Sequence, residues 1–423
     1  MKRIVLPNVK ILIQAFTAVF IFLSVQVNAQ IADGKCKFLG NVIANSVPAT
    51  FNNYWNQVTP ENSGKWGSVE GTRNVMNWGA LDLAYNHAKN NGLPFRQHTF
   101  VWGQQQPAWI TTLMNDSSKP IEERYEEVRG EVEEWIRLYC ERYPDTDYID
   151  VVNEPFHATP SYDLALGSGW NWVKWAFEKA REYCPNAKLL LNDYNIINSN
   201  SATDSYVSLI NILKAEELVD IIGVQCHRFE TESAPSATLK ANLDKLAATG
   251  LPIHITEFDI GNLNNEGTPN DAQQLEIMQR VFPELWNHPA VQGITIWGYI
   301  QGQTWQSTAY LLRGDGTERP ALTWLKNYVP TVPGGSFCLT TSVEETQPAL
   351  NIYPNPAPGG RIMLESEGPQ TTAIIRDPLG RVVETVVIPE REMMPVQLDA
   401  ARGIYIIEVR QNQKATYKKV LVN

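Results

Sequence analysis

The chain is predicted to be an α/β protein, a (β/α)8 TIM barrel followed by a small all-β sandwich. Two observations predict the barrel. Short apolar, β-branched runs alternate with longer amphipathic stretches as far as Tyr328, and polar residues gather at the last positions of those runs. A third observation predicts the second unit: Val329–Pro348 is rich in Pro, Gly, Ser and Thr, and short alternating strands follow it.

The first 29 residues read as an export signal. Lys2, Arg3 and Lys10 make a basic start, Ile11 to Val27 is mainly apolar, and Val27-Asn28-Ala29 is a small-residue cleavage site, so the mature chain begins near Gln30. A membrane anchor is the alternative, but the apolar run is short for a span of ~20 residues and the cleavage site follows at once. The barrel then occupies residues 30–330. Its strands are expected at Lys37–Ala44, Trp55–Glu61, Pro94–Trp102, Tyr148–Glu154, Lys188–Asn195, Asp220–His227, Pro252–Ile260 and Gly293–Gly298. Helical stretches lie between them, as parallel strands require. The clearest is Ile121 to Tyr143, with Val128, Val132, Trp135, Ile136 and Tyr139 on one face. A linker at 331–348 leads to the sandwich at 349–423. Its strands are expected at Ala349–Tyr353, Thr372–Arg376, Val382–Val387 and Gly403–Arg410, with a turn at Asp377-Pro378-Leu379-Gly380.

Composition narrows the function classes. The 43% hydrophobic content supports a large core, and the net charge of −11, with no long basic run, argues against a nucleic-acid partner. The 13 Trp and 16 Tyr either fill the core or stack on sugar rings. Export makes disulfides possible for the five cysteines. Cys36 with Cys338 would tie the ends of the barrel, and Cys140 with Cys184 would join two neighbouring helices, leaving Cys226 over. No cysteine spacing resembles a zinc site, and no cofactor is implied.

The chemistry gathers at the strand ends. Glu61 and Asn62 end strand two, followed by Lys65. His98 and Trp102 close strand three, followed by Gln105. Asn153-Glu154 end strand four, Asn192-Asp193-Tyr194-Asn195 strand five, and Gln225-Cys226-His227 strand six. Strand seven carries Glu257 and Asp259, and strand eight Trp297. In a barrel all these ends face one mouth. Carboxyl groups there are costly to bury unless paired or used. Glu154 and Glu257, roughly opposite each other, suit glycoside hydrolysis: one protonates the leaving oxygen while the other, ionised, attacks the anomeric carbon at a separation of ~5–5.5 Å, giving retention, or leaves room for water at ~6.5–9.5 Å, giving inversion. Glu257 and Asp259 are two apart, so they point the same way, and His227 could bridge them and keep Glu257 ionised. Asn153 could bond a sugar 2-hydroxyl. Taken alone, His227 would read as an ordinary core histidine.

These residues resemble glycoside hydrolase family 10, the retaining xylanases, from about Phe38 to Tyr328. VTPENSGKW (Val58–Trp66), HTFVWGQQQPAW (His98–Trp109), DVVNEP (Asp150–Pro155), LLNDYN (Leu190–Asn195), GVQCH (Gly223–His227), ITEFDI (Ile255–Ile260) and WGYIQGQTW (Trp297–Trp305) match in order and spacing. The resemblance implies a secreted endo-β-1,4-xylanase acting on xylan and xylo-oligosaccharides by double displacement. It makes Glu154 the acid/base and Glu257 the nucleophile, supported by His227 and Asp259. It implies sugar contacts from Glu61, Asn62, Lys65, His98, Trp102, Gln105, Asn153, Gln225, His227, Trp297 and Trp305. Gly103 and Gln301 depart from the family, which often has His and Asp there; both are expected near the cleft.

The tail resembles the C-terminal sorting domain of the type IX secretion system, through Tyr353-Pro354-Asn355-Pro356, Gly403-Ile404-Tyr405 and Lys418-Lys419-Val420. It implies the secretion machinery as a partner, a secreted or cell-surface location, and no membrane association of the mature form. A carbohydrate-binding sandwich is the alternative, disfavoured by the absence of Trp after Pro348. A monomer is expected. Three rivals stay open for the barrel: an endo-glycanase of the same clan on glucan or mannan, a non-catalytic polysaccharide-binding protein, and a metal hydrolase using His98 and His227.

Overall fold

The computed structural model describes residues 30–261, 269–333, 350–366, 371–377, 381–390, 392–398, 403–411 and 414–422. The leader, Cys338 and most of the linker lie outside the described residues, as does most of the turn at 377–380. The chain divides into two compact units, Met1–Pro333 and Gly334–Asn423.

The first unit holds eight parallel strands: β1 (Phe38–Ile43), β2 (Val58–Pro60), β3 (Arg96–Val101), β4 (Tyr148–Asn153), β5 (Lys188–Asp193), β6 (Ile221–Val224), β7 (Ile253–Phe258) and β8 (Val291–Ile296). Their order is β2-β1-β8-β7-β6-β5-β4-β3, and a parallel bridge from Val58 to Phe95 brings its two ends together into a TIM barrel. Most strand residues are buried on both faces, hence the near-continuous apolar runs. β2 is shorter than expected. Trp55 is buried in the core ahead of it, after a single 3-10 turn at Phe51–Asn53.

Helices cover the outside. The helix at Ile121–Arg142 buries Val128, Val132, Trp135, Ile136 and Tyr139. Its Cys140 is bonded to Cys184, which caps the helix at Asn171–Tyr183. Cys226 is free and buried.

Polar groups also sit inside the barrel. Arg96 donates to Asp150 at 2.7 Å and to the Thr256 carbonyl at 2.6 Å, all three buried. β3 and β7 are not neighbours in the sheet, so the second bond crosses the barrel. Such partners offset the cost of burying the charge.

The second unit is all-β. Its strands are β9 (Leu350–Tyr353), β10 (Arg361–Ser366), β11 (Thr371–Arg376), β12 (Val382–Ile388), β13 (Met393–Gln397), β14 (Gly403–Gln411) and β15 (Lys414–Val422). One sheet has the order β13-β10-β9, the other β12-β11-β14-β15, both antiparallel. Alternating residues such as Ile362, Leu364, Ala373, Ile375, Ile407 and Val409 form its core. Three of these strands, β10, β13 and β15, were not expected from the sequence. β13 carries Pro395, which an edge strand tolerates. Among the described residues, no helix is long and apolar enough to cross a membrane.

Candidate active site

A cavity of about 440 Å³ opens at the C-terminal ends of the barrel strands. Its lining brings together Glu61, Asn62, Lys65, His98, Trp102, Gln105, Asn153, Glu154, Gln225, His227, Glu257, Trp297 and Trp305. Asp259 lies buried behind them. Tyr194, named at the end of strand five, completes the wall together with Gln104 and Phe229, which were not singled out in the sequence.

Glu154 follows the last residue of β4 with φ +54, and its N–H donates to the Asn192 carbonyl at 2.8 Å. A left-handed backbone is unfavourable for a non-glycine residue, and here it turns the side chain into the cavity. The Trp102 indole donates to one carboxyl oxygen at 2.9 Å and the Gln225 amide to the other at 3.0 Å. Burial raises the Glu154 pKa, and the nearby Glu257 adds to the rise against those two hydrogen bonds.

Glu257 is treated in the opposite way. The Asn192 amide donates to it at 2.9 Å, and His227 Nε2 lies 3.4 Å from its other oxygen. Burial alone would raise its pKa. His98, the hydrogen bond and charge of His227, and Arg96 outweigh burial and hold it at about 2. His227 Nδ1 sits 3.0 Å from Asp259, whose carboxylate also accepts from the Arg228 backbone N–H at 2.7 Å and the Trp305 indole at 2.9 Å. Burial opposes a charge on His227, but Asp259 and Glu257 push its pKa up to about 10. His227 thus bridges the two carboxylates.

A polar cluster lies on the β2–β3 side. Lys65 Nζ donates to Asn62 at 2.9 Å and to Gln105 at 2.6 Å, and stands 4.9 Å from the centre of the Trp102 ring. Burial lowers the Lys65 pKa against the pull of Glu257, Glu61 and Glu154, and raises that of Glu61. Asn153 accepts from Asn192 at 2.9 Å. His98 Nδ1 lies 2.8 Å from Asp150, and its ring meets Trp297 edge-on at 5.2 Å.

Several residues behind this wall escaped the sequence reading. Asp150 orients His98, and Asn192 connects Glu257 to Asn153. Glu230 accepts from the backbone N–H groups of His227 and Asn195, at 2.9 and 2.6 Å. Asp150 stood inside a quoted motif and Asn192 at the end of strand five, each without an assigned role; no signal marked Glu230.

The two departures prove structural in place. Neither Gly103 nor Gln301 lines the cavity. The Gly103 N–H donates to the Ala158 carbonyl at 2.9 Å, and a Cβ there would overlap the carbonyl oxygens of Ala158 and Thr159. Only glycine allows so close an approach. Gln301 instead accepts from the Gly314 N–H at 3.0 Å. Gly103→Ala is expected to destabilise the barrel by about 1–3 kcal/mol, as overpacking does. It should also lower turnover, because the displaced loop starts at Glu154. Thermal unfolding and steady-state rates check this; a variant unchanged in both would refute it.

The family model of glycosyl hydrolase family 10 matches residues 23–328. The chain belongs to glycosyl hydrolase family 10. Among family 10 relatives, it is 46% identical to endo-1,4-beta-xylanase B of Cellvibrio japonicus over 297 residues, 69% of this chain and 45% of that protein. It thus spans less than half the length of that relative. It is 31% identical to endo-1,4-beta-xylanase A of Caldicellulosiruptor saccharolyticus over 270 residues, 60% of this chain and 78% of the relative. Xylanase 10B from Thermotoga maritima superposes with a TM-score of 0.62 at 25% identity, covering 72% of this chain and 97% of that one. A Thermotoga petrophila xylanase 10B solved with xylobiose gives 0.61 at 25% identity, over 70% and 96%. Behind the family 10 domain, residues 351–423 match the secretion system C-terminal sorting domain, which marks the protein as secreted or displayed at the cell surface. Among the described residues, no group of three or more His, Cys, Asp or Glu could hold a metal ion.

Proposed function

We propose that this chain is a secreted retaining endo-β-1,4-xylanase, with Glu257 as nucleophile and Glu154 as acid/base. One observation carries the assignment: two buried glutamates share a cavity, and their surroundings push their pKa values apart. Glu257, kept ionised, attacks the anomeric carbon as Glu154 protonates the departing glycosidic oxygen. Glu154, now a carboxylate, then takes a proton from the water that displaces Glu257. Asn153 would bond the 2-hydroxyl. Lys65, Asn62, Glu61 and Gln105 would bind the sugars on the non-reducing side of the cleaved bond. His98, Trp102 and Gln225 line the sugar next to it.

Xylose lacks the hydroxymethyl group of glucose. Gln105, Trp297 and Trp305 would crowd that position, which supports xylan over glucan. The test is incubation with xylan, carboxymethylcellulose and galactomannan, followed by chromatography. Xylo-oligosaccharides from xylan alone are expected; turnover of a glucan or mannan instead would overturn the substrate.

The rate should follow a bell-shaped pH profile. Activity falls as pH drops through the pKa of Glu257, because the nucleophile is protonated, and falls again as pH rises through that of Glu154, because the acid is lost. His227→Gln is expected to move the acid limb upward, since His227 is one of the groups lowering the Glu257 pKa. An acid limb that stays in place would remove His227 from this role.

The domain plan follows from the same reading: a signal peptide over 1–29, a catalytic barrel over 30–330, a linker over 331–348 and a sorting domain over 349–423. Xylo-oligosaccharides are the products, the type IX machinery is the export partner, and the mature enzyme acts as a monomer. Truncation after Pro348 is expected to leave xylan turnover intact and abolish export, read by activity in cells and medium.

A further inference from the structure

Glu154 is mounted on the strand beside its own. Its N–H donates to the carbonyl of Asn192 on β5, and its carbonyl accepts from the N–H groups of His157 and Ala158, at 3.1 and 2.7 Å. The left-handed residue thus opens a tight turn, and the next residue of β5 holds that turn. Asp193, fully buried at the end of the strand, accepts from the Phe156 N–H at 3.0 Å on one carboxylate oxygen. Its other oxygen accepts from the Tyr194 N–H at 2.8 Å and lies 2.7 Å from His157 Nδ1. The His157 ring stacks on that of Tyr194, with centres 4.0 Å apart.

Neither Asp193 nor His157 lines the cavity. A buried carboxylate is costly, and no step of the double displacement uses this one. Two backbone N–H groups, one in the Glu154 turn and one beyond β5, meet its opposite oxygens, so both oxygens must accept. An asparagine, with one oxygen and one amide group, would leave a buried N–H facing its own NH2. A non-glycine residue stays left-handed only where its surroundings over-determine it. Glu154 is fixed before its Cα by Asn192 and after it by Asp193.

From this arrangement we infer that Asp193 and His157 are positioning residues for the acid/base. They clamp the turn after Glu154 to the end of β5 and so hold its carboxyl within reach of the glycosidic oxygen. This rests on the reading of Glu154 as acid/base and adds to it the groups that aim the proton.

The test uses the full-length protein and two substrates with the same sugars. Phenyl β-xylobioside has a poor leaving group and needs the proton from Glu154; the dinitrophenyl xylobioside departs without one. Asp193→Asn is expected to lower kcat/KM on the phenyl substrate about 10–100-fold and to leave the dinitrophenyl value close to the parent's. His157→Ala removes only the ring contact. It should show the same selectivity with a smaller loss, and it carries the test if the Asp193→Asn chain does not fold. A merely structural role would lower both substrates together, so equal losses on the two, or no loss on either, would overturn the role of the residue replaced. A parent inert on both substrates, or a Glu154→Ala variant equally slow on both, would sink the acid/base reading and this inference with it. A selective Glu154→Ala beside an unselective Asp193→Asn would sink this inference alone.

Discussion

Glu257→Ala is expected to lower xylan turnover by a factor on the order of 10⁴–10⁶, the range lost when a covalent nucleophile is removed. The loss should lie in the chemical step. Asn192 and His227 would keep their places around the gap, so sugar binding should survive, and xylotetraose binding measured by calorimetry should stay near the parent value. A slow 2-deoxy-2-fluoro-xylobioside with a good leaving group offers the positive counterpart. It should add one fluoroxylobiosyl unit to the parent enzyme, on the peptide containing Glu257, and none to the variant. Turnover near the parent rate would take Glu257 out of the reaction.

The second large effect concerns Glu154, and it should depend on the substrate. Glu154→Ala removes the proton donor in the first step and the base in the second, each worth about 10²–10⁴-fold. Xylan has a poor leaving group and should suffer fully. A dinitrophenyl xylobioside needs no protonation to depart, so its first step should proceed and the covalent intermediate should accumulate. Azide needs no base and should speed turnover, giving a xylobiosyl azide of retained configuration. Equal impairment of both substrates, without azide rescue, would contradict the acid/base assignment.

The sequence made some of this legible for a physical reason. A barrel strand is apolar along its length and polar at its outlet, so Glu154, Gln225, His227 and Glu257 announced themselves by position. Arg96 and Asp150 did not, because their partners belong to other strands: a charge within a strand means little until Thr256 or His98 is known to face it. Glu230 was silent for the same reason, its two donors being backbone groups of different strand ends. Gly103 was noticed as a departure near the cleft, and Trp102 and Gln104 on either side of it do line the cavity, but the carbonyl of Ala158 that excludes a side chain is a feature of the fold alone. In the sandwich, β13 and β15 lie at sheet edges, where proline and lysine are tolerated and the apolar alternation weakens.

The left-handed turn at Glu154 bears on how such a protein would age if its activity ceased to matter. A glutamate at φ +54 is held against its preference, and alanine would fare no better at that angle. Asparagine and glycine accept it readily. Under relaxed selection, drift at position 154 should therefore favour those two residues, each gaining stability as catalysis is lost. An inert descendant of this barrel would be recognised by asparagine or glycine at this turn, with the rest of the cavity still in place.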